Sequence, residues 1–272
     1  MRKERVDVLL VERGLFETRE KAKAAVMAGL VLVGNERCDK PGTKVAEDAA
    51  ITVKGEVHPY VSRGGLKLEK ALRTFGIDLK GKVMMDIGAS TGGFTDCALQ
   101  HGARLVYAID VGYGQLAWSL RQDERVVVME RTNFRHMNPD NFTHELPDAA
   151  SIDVSFISLK LILPVLYCFL KPGGEVLALV KPQFEAGKDN VGKNGIVRDP
   201  QIHEAVLRDI GSFARELGFQ IKGVSYSPIT GGEGNIEFLL YLQKPPAVGG
   251  LEPEAWLTEV EQIVRAAHKE LR

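Results

Sequence analysis

Three cysteines in 272 residues, Cys38, Cys97 and Cys168, with no Cys-x-x-Cys pair and no histidine beside them at ligand spacing, exclude a disulfide framework and indicate no metal site. No apolar run reaches the roughly 18 residues of a membrane span. The N-terminus, MRKERVDVLL, carries charges where an export signal would carry its apolar stretch. A cytoplasmic protein in a reducing compartment, with no membrane association, is therefore expected. Net charge is also missing: the formal value is −1, which argues against attachment to nucleic acid by bulk electrostatics alone. Repeats and low-complexity tracts are absent too.

What is present is apolar material, 44% of the residues, enough for one large domain and a small one. Charge is unevenly spread. Residues 1–82 hold 17 Lys+Arg against 12 Asp+Glu, whereas the remainder holds 18 against 24, so the positive end leads.

The chain up to about residue 57 reads as a compact α+β module. Val6, Leu9, Leu10 and Leu15 have helical spacing, and Thr18-Arg19-Glu20 resembles the cap of a second helix running to Gly29. A strand at Leu30–Val33, turns at Gly34-Asn35 and Lys40-Pro41-Gly42, and a strand at Ala50–Val53 complete it. This order, with Arg5 ahead of it and Arg19, Lys21 and Lys23 on the second helix, resembles the small RNA-binding domain first described in a small-subunit ribosomal protein. The resemblance implies RNA contact through those four basic residues. We divide the chain into an RNA-binding domain (1–57), a linker (58–62), a second domain (63–246) and a C-terminal helical extension (247–272).

From residue 63 onward, apolar runs alternate with helical stretches. The runs Val83–Ile87, Arg104–Ile109, Val126–Met129, Ala149–Val154 and Glu175–Val180 are nearly continuous, as parallel strands buried on both faces should be. After a helix at about His203–Leu217 come Phe219–Ser225 and Ile236–Leu242, separated by a loop too short for a crossover, so this last pair should be antiparallel. The expected fold is α/β, a doubly wound, mostly parallel sheet ending in an antiparallel hairpin, which resembles the Rossmann-like methyltransferases.

The turn after the first of these runs reads DIGASTGGF. A phosphate-binding loop would require Gly-Lys-Ser/Thr, and no lysine follows Gly93. A dinucleotide fingerprint would have G-x-G-x-x-G, whereas the spacing here is G-x-x-x-G-G. S-adenosyl-L-methionine suits it better. Gly88 and Gly92 would let that ligand approach the backbone, Asp86 would accept a hydrogen bond from it, and Asp110, ending the next strand, would meet its ribose.

The acceptor is addressed by the later strand ends. No Asp/Asn-Pro-Pro-Tyr is present to hold an exocyclic amine, and no Pro-Cys to attack a cytosine carbon. Asp153 and Lys181 stand instead at the fourth and fifth strand ends, Glu237 inside the last apolar strand, and Lys67 on a helix just upstream of the sheet. Lys67, Asp153, Lys181 and Glu237 reproduce the ordered Lys-Asp-Lys-Glu set of the FtsJ-type ribose 2′-O-methyltransferases. With VSRGGLKL, DIGASTGGFTDCAL, IDVSFISL, VKPQFEAG and NIEFL, the sequence resembles the TlyA family of rRNA cytidine 2′-O-methyltransferases over essentially its whole length. The resemblance implies methyl transfer from S-adenosyl-L-methionine to cytidine ribose in ribosomal RNA within ribosomal subunits, with no metal required. It implies those four residues as catalytic, and Gly92, Phe94, Asp110 and Asn133 as cofactor contacts. Asn133 departs from FtsJ relatives, which carry aspartate there. Members have also borne the name haemolysin, so membrane lysis and catalytically silent RNA binding stand as the alternatives. The one late amphipathic segment, EPEAWLTEVEQIVRAAHKEL, is acidic at its start and is expected to pack on the sheet.

Overall fold

The computed structural model describes residues 3–16, 18–27, 29–53, 58–246 and 249–271. Two compact units result, Met1–Ser62 and Arg63–Arg272. Part of the expected 58–62 linker region borders residues 54–57, which lie outside the described residues.

The smaller unit runs β1 (Lys3–Arg5), α1 (Val6–Glu12), α2 (Arg19–Met27), β2 (Val31–Val33), β3 (Glu36–Cys38), β4 (Lys44–Ala46) and β5 (Ile51–Val53). Strands β1 and β4 pair antiparallel, and β3-β2-β5 form a second small sheet. Val6, Leu10, Phe16, Ala22, Val26 and Val31 close the core between helices and sheet. Of the four basic residues expected to meet RNA, Lys21 is exposed and Lys23 partly so. Arg5 and Arg19 have a partner that sequence reading did not supply: both donate to the buried carboxylate of Asp7.

The larger unit opens with α3 (Gly64–Phe75), whose C-cap Gly76 takes the left-handed conformation that ends helices. There follow β6 (Val83–Ile87), α4 (Gly93–Gln100), β7 (Leu105–Ile109), α5 (Trp118–Arg121), β8 (Val126–Met129), β9 (Ala149–Ile152), α6 (Leu163–Phe169) and β10 (Glu175–Val180). The chain continues through α7 (Pro182–Glu185), α8 (Pro200–Glu216), β11 (Gln220–Tyr226), β12 (Phe238–Gln243) and α9 (Pro253–Leu271). The seven strands lie in the order β11-β12-β10-β9-β6-β7-β8. Pairings β10–β9, β9–β6, β6–β7 and β7–β8 are parallel, and β12 runs antiparallel to both β10 and β11, as the short final loop requires. Helix α9 spends its apolar side, Trp256, Val260, Val264 and Ala267, on the core of this unit.

Two consequences position a site. Chain order reverses between β6 and β9, and the crevice outside the carboxyl ends of such strands is where open α/β sheets hold ligands. Register then brings β12 to the same rim: Val180, the last residue of β10, pairs with Phe238, the first of β12. Glu237 thus precedes β12 rather than lying within it, and stands beside the end of β10.

Candidate active site

Each residue at this rim is placed by a strand end. Asp86 and Gly88 close β6, Asp110 follows β7, Asp153 follows β9 and Lys181 follows β10. The fifth charge arrives from a helix. Lys67 sits one residue before Leu68 on the buried side of α3, and is 8% exposed where a helix lysine is ordinarily solvated.

The structure brings Lys67, Asp153, Lys181 and Glu237 into one chain of alternating charge. Glu237 Oε2 accepts from Lys67 Nζ at 2.7 Å, Lys67 Nζ lies 3.6 Å from Asp153 Oδ2, and Asp153 Oδ1 lies 2.5 Å from Lys181 Nζ. Two cations and two anions balance, which is the condition under which buried charges are tolerated. Burial works against the Lys67 ammonium, but Asp153 and Glu237 more than offset it and hold the group above the ordinary lysine range. Lys181 Nζ also donates to Ser155 Oγ at 3.1 Å. With Asp153 and Ser155 fixed, the remaining N–H direction of Lys181 is determined.

Glycine is required at two points here. Gly88 (φ 88°) lies against the Asp153 carbonyl, and a Cβ there would collide with it. Gly231 lies flat against the Glu237 carboxylate, again with no room for a Cβ. Gly88 therefore serves the close approach of two strand ends, and Gly92 (φ 98°) packs against Leu116 and Leu120.

The donor side is mixed. Asp110, half-buried, accepts one backbone N–H on each oxygen, from Ser90 at 2.8 Å and Gly112 at 2.7 Å. A carboxylate offers about four lone-pair positions, so acceptor capacity remains for a diol, and this residue fits a ribose. Ser90 holds φ 48°, a left-handed non-glycine at the turn's apex, the kind of strain that sites of binding retain. Asn133 is exposed, and its Oδ1 accepts only the longer bond from Arg135 N at 3.3 Å, which leaves its amide available. Phe94 is all but buried in the first turn of α4.

Asp86 departs from expectation. It is fully buried, with Thr95 Oγ1 donating at 2.7 Å and Ser151 Oγ at 3.1 Å, so both oxygens face the protein and not the crevice. Its task is to hold the start of α4 and the middle of β9 to the end of β6. Burial pushes its carboxyl up to about 6, although both hydroxyls favour the ionised form.

Sequence reading missed three neighbours. Ser155 is one. Phe156 is 90% exposed with φ 63°, and its ring meets that of Phe184 at 4.9 Å with a tilt of 50°, while the Phe184 ring in turn lies 6.0 Å from Lys181 Nζ. The apolar look of IDVSFISL hid this, because an exposed phenylalanine and a core phenylalanine are spelled alike.

Among the described residues no group of His, Cys, Asp or Glu is arranged to hold a metal ion, and no helix is long and apolar enough to cross a membrane.

A sheet of this order with a terminal antiparallel hairpin, a glycine turn after the central strand and an acid after the next, is the architecture of the Rossmann-like methyltransferases. A model of FtsJ-like methyltransferases matches residues 60–244 and one of the S4 domain matches residues 4–51. The chain belongs to the FtsJ-like methyltransferase family. YqxC of Bacillus subtilis is 62% identical over 271 residues, covering 100% of this chain and 96% of that protein. The 16S/23S rRNA (cytidine-2′-O)-methyltransferase TlyA of Mycobacterium tuberculosis is 45% identical over 243 residues, 89% of this chain and 90% of TlyA. A solved structure of a protein described as a hemolysin from Streptococcus thermophilus is 57% identical, with a TM-score of 0.77 over 99% of this chain and 97% of that one.

Proposed function

We propose that this protein methylates the ribose 2′-hydroxyl of cytidine in ribosomal RNA, using S-adenosyl-L-methionine as donor and ribosomal subunits as substrate. The observation that carries the reading is the Glu237–Lys67–Asp153–Lys181 chain of alternating charge, whose Asp153 carbonyl lies against Gly88 of the glycine turn. The donor supplies an electrophilic methyl group on a sulfonium. Asp110 would hold its ribose, and Asn133 and the edge of Phe94 would flank its base.

A ribose hydroxyl is a weak acid, so the protein must aim it and receive its proton as the new bond forms. Asp153 and Ser155 take two positions on the Lys181 nitrogen, and the hydroxyl belongs at the third, where the amine in its neutral form would take the proton as the oxygen–methyl bond forms and the sulfonium–methyl bond breaks to leave a neutral thioether. Asp153 fixes Lys181 on one side and Lys67 on the other. Glu237 keeps Lys67 charged, so that no member of the chain is left as an uncompensated buried ion. The target base must leave its helix to bring the sugar here, at a cost of a few kcal/mol, and the exposed Phe156–Phe184 pair offers it a stacking surface. The S4-type unit supports the RNA part of the reading through Arg5, Arg19, Lys21 and Lys23. A membrane-lytic role is not favoured, since the apolar side of α9 is already committed to the core.

The test is to incubate purified 30S and 50S subunits from cells lacking the protein with the enzyme and donor, and to map 2′-O-methylation. New methylcytidine is expected, with Lys181→Ala slower by orders of magnitude and its subunit affinity little changed. Methylation on a base or on another nucleotide, or near-normal turnover by Lys181→Ala, would overturn the assignment.

A further inference from the structure

Arg5 and Arg19 converge on one acid from different elements. Arg5 ends β1 and Arg19 begins α2, while Asp7 lies between them in the first turn of α1 with no exposed surface. Arg5 donates from Nε to Asp7 Oδ1 at 2.9 Å and from Nη2 to Oδ2 at 3.1 Å; Arg19 donates from Nε to Oδ2 at 2.9 Å. The arginines themselves are not buried: their side chains remain 40% and 46% exposed. Each guanidinium thus turns one edge inward to the acid and keeps its other N–H groups at the surface.

The acid is itself immobile. Asp7 N donates to Pro41 O at 3.2 Å and Val6 N to Thr43 O at 2.9 Å, which ties the head of α1 to the 41–43 turn. Gly42 of that turn lies beside the Arg5 guanidinium, close enough that a Cβ added there would reach ordinary contact distance, and Lys44 stands opposite Arg5 in the β1–β4 ladder. Burial alone would push the Asp7 carboxyl up, but the two arginines hold it below the ordinary carboxylate range, so it stays ionised. An exposed arginine normally surrenders rotamer freedom when it grips a phosphate. These two have surrendered much of it already.

We propose that Asp7 is a positioning residue that locks Arg5 and Arg19 into one preset two-guanidinium clamp for an RNA phosphodiester. The inference rests on the reading of this unit as RNA-binding. It makes a prediction of opposite sign to simple electrostatics. Replacing Asp7 by asparagine removes a negative charge from a basic surface, which by counterion arguments alone should tighten RNA binding. If the acid acts by positioning, the same change should weaken it.

Binding of the full-length protein to purified 30S and 50S subunits over a range of salt concentrations decides between these, with calorimetric donor affinity as control. For Asp7→Asn we expect at least tenfold weaker binding at about 0.15 M salt, a shallower salt dependence, and unchanged donor affinity. Because Asp7→Asn could loosen the small unit, the charge-preserving pair Arg5→Lys with Arg19→Lys is measured beside it. That protein keeps every positive charge but loses the fork, and should lose a similar factor. Equal or tighter binding by a folded Asp7→Asn protein, or undiminished binding by the double lysine variant, overturns the proposal while leaving the RNA-binding reading intact. Failure of the wild-type protein to bind either subunit overturns both.

Discussion

Lys67 and Glu237, 170 positions apart in sequence, meet as a buried pair at 2.7 Å. The contact ties the helix before the sheet to the residue that leads into its last strand. Removing one member leaves the other as a buried ion whose nearest remaining partner is suboptimal, a change of about 3–5 kcal/mol in comparable cases. Glu237→Ala should therefore melt well below the wild type and turn over slowly, with donor affinity retained. Because Lys67 is raised above its ordinary value, its contribution is complete at neutral pH and fades only as pH climbs through the raised value. Melting curves of wild type and Lys67→Met should differ by a constant amount from pH 6 to 9 and converge only in strong alkali; convergence near neutrality would contradict the ion-pair account.

Asp86 carries the opposite sign. Its carboxyl rises from 3.8 to about 6 on folding, so the folded protein binds this proton more tightly than the unfolded chain, and stability from this group falls as pH rises from about 4 to about 6. A shift of about two units corresponds to roughly 3 kcal/mol once both states are ionised. Asp86→Asn, which keeps the shape and can still accept from Thr95, should be more stable than wild type at pH 8, and the gap should close near pH 4. A variant less stable at every pH would show that the two hydroxyl bonds outweigh the burial of the charge.

Gly231→Ala tests the seat of Glu237. A methyl group there must displace the carboxylate away from Lys67. Turnover is expected to fall at least tenfold with donor affinity within a factor of about two, since the displaced group lies on the acceptor side. Single-turnover methylation beside donor calorimetry measures both; normal turnover would mean that Glu237 can move without consequence.

Phe156→Ala should leave the stability of the fold little changed, because the ring is exposed and alanine keeps the same Cβ on the left-handed backbone. Base stacking on an aromatic side chain amounts to about 1–3 kcal/mol, so the methylation rate should drop about tenfold or more, with Phe156→Trp recovering most of it. An alanine variant with wild-type rates would remove this residue from the acceptor site.

Much of the larger unit was legible in its apolar runs. Val83–Ile87, Val126–Met129 and Glu175–Val180 are strands over the same residues, since a strand buried on both faces announces itself by continuity alone. The direction of side chains at the ends of those strands was not. Asp86 stands where a ligand-facing acid would stand, yet Thr95 and Ser151 claim it, and no local pattern distinguishes an acid turned outward from one turned in. Lys67 presents the ordinary signature of a solvated helix lysine because its partners lie 86 and 170 positions away. The resemblance to a family named those residues together; periodicity could not. Phe156 was hidden for another reason, as a left-handed backbone at a non-glycine residue leaves no mark on the residue type.

On the proposed reading Asp153 would serve both substrates at once. Its peptide carbonyl rests on Gly88 of the donor turn, its amide donates to Ile87 O at 2.9 Å, and its carboxylate holds both acceptor-side lysines. A shift of the donor turn is therefore transmitted to the acceptor lysines through a single residue's backbone, without any intervening loop to absorb it. A side chain at position 88 would press on the carbonyl of residue 153, which every residue type carries, so no substitution at 153 could compensate and the strand end that seats the two lysines would itself have to move.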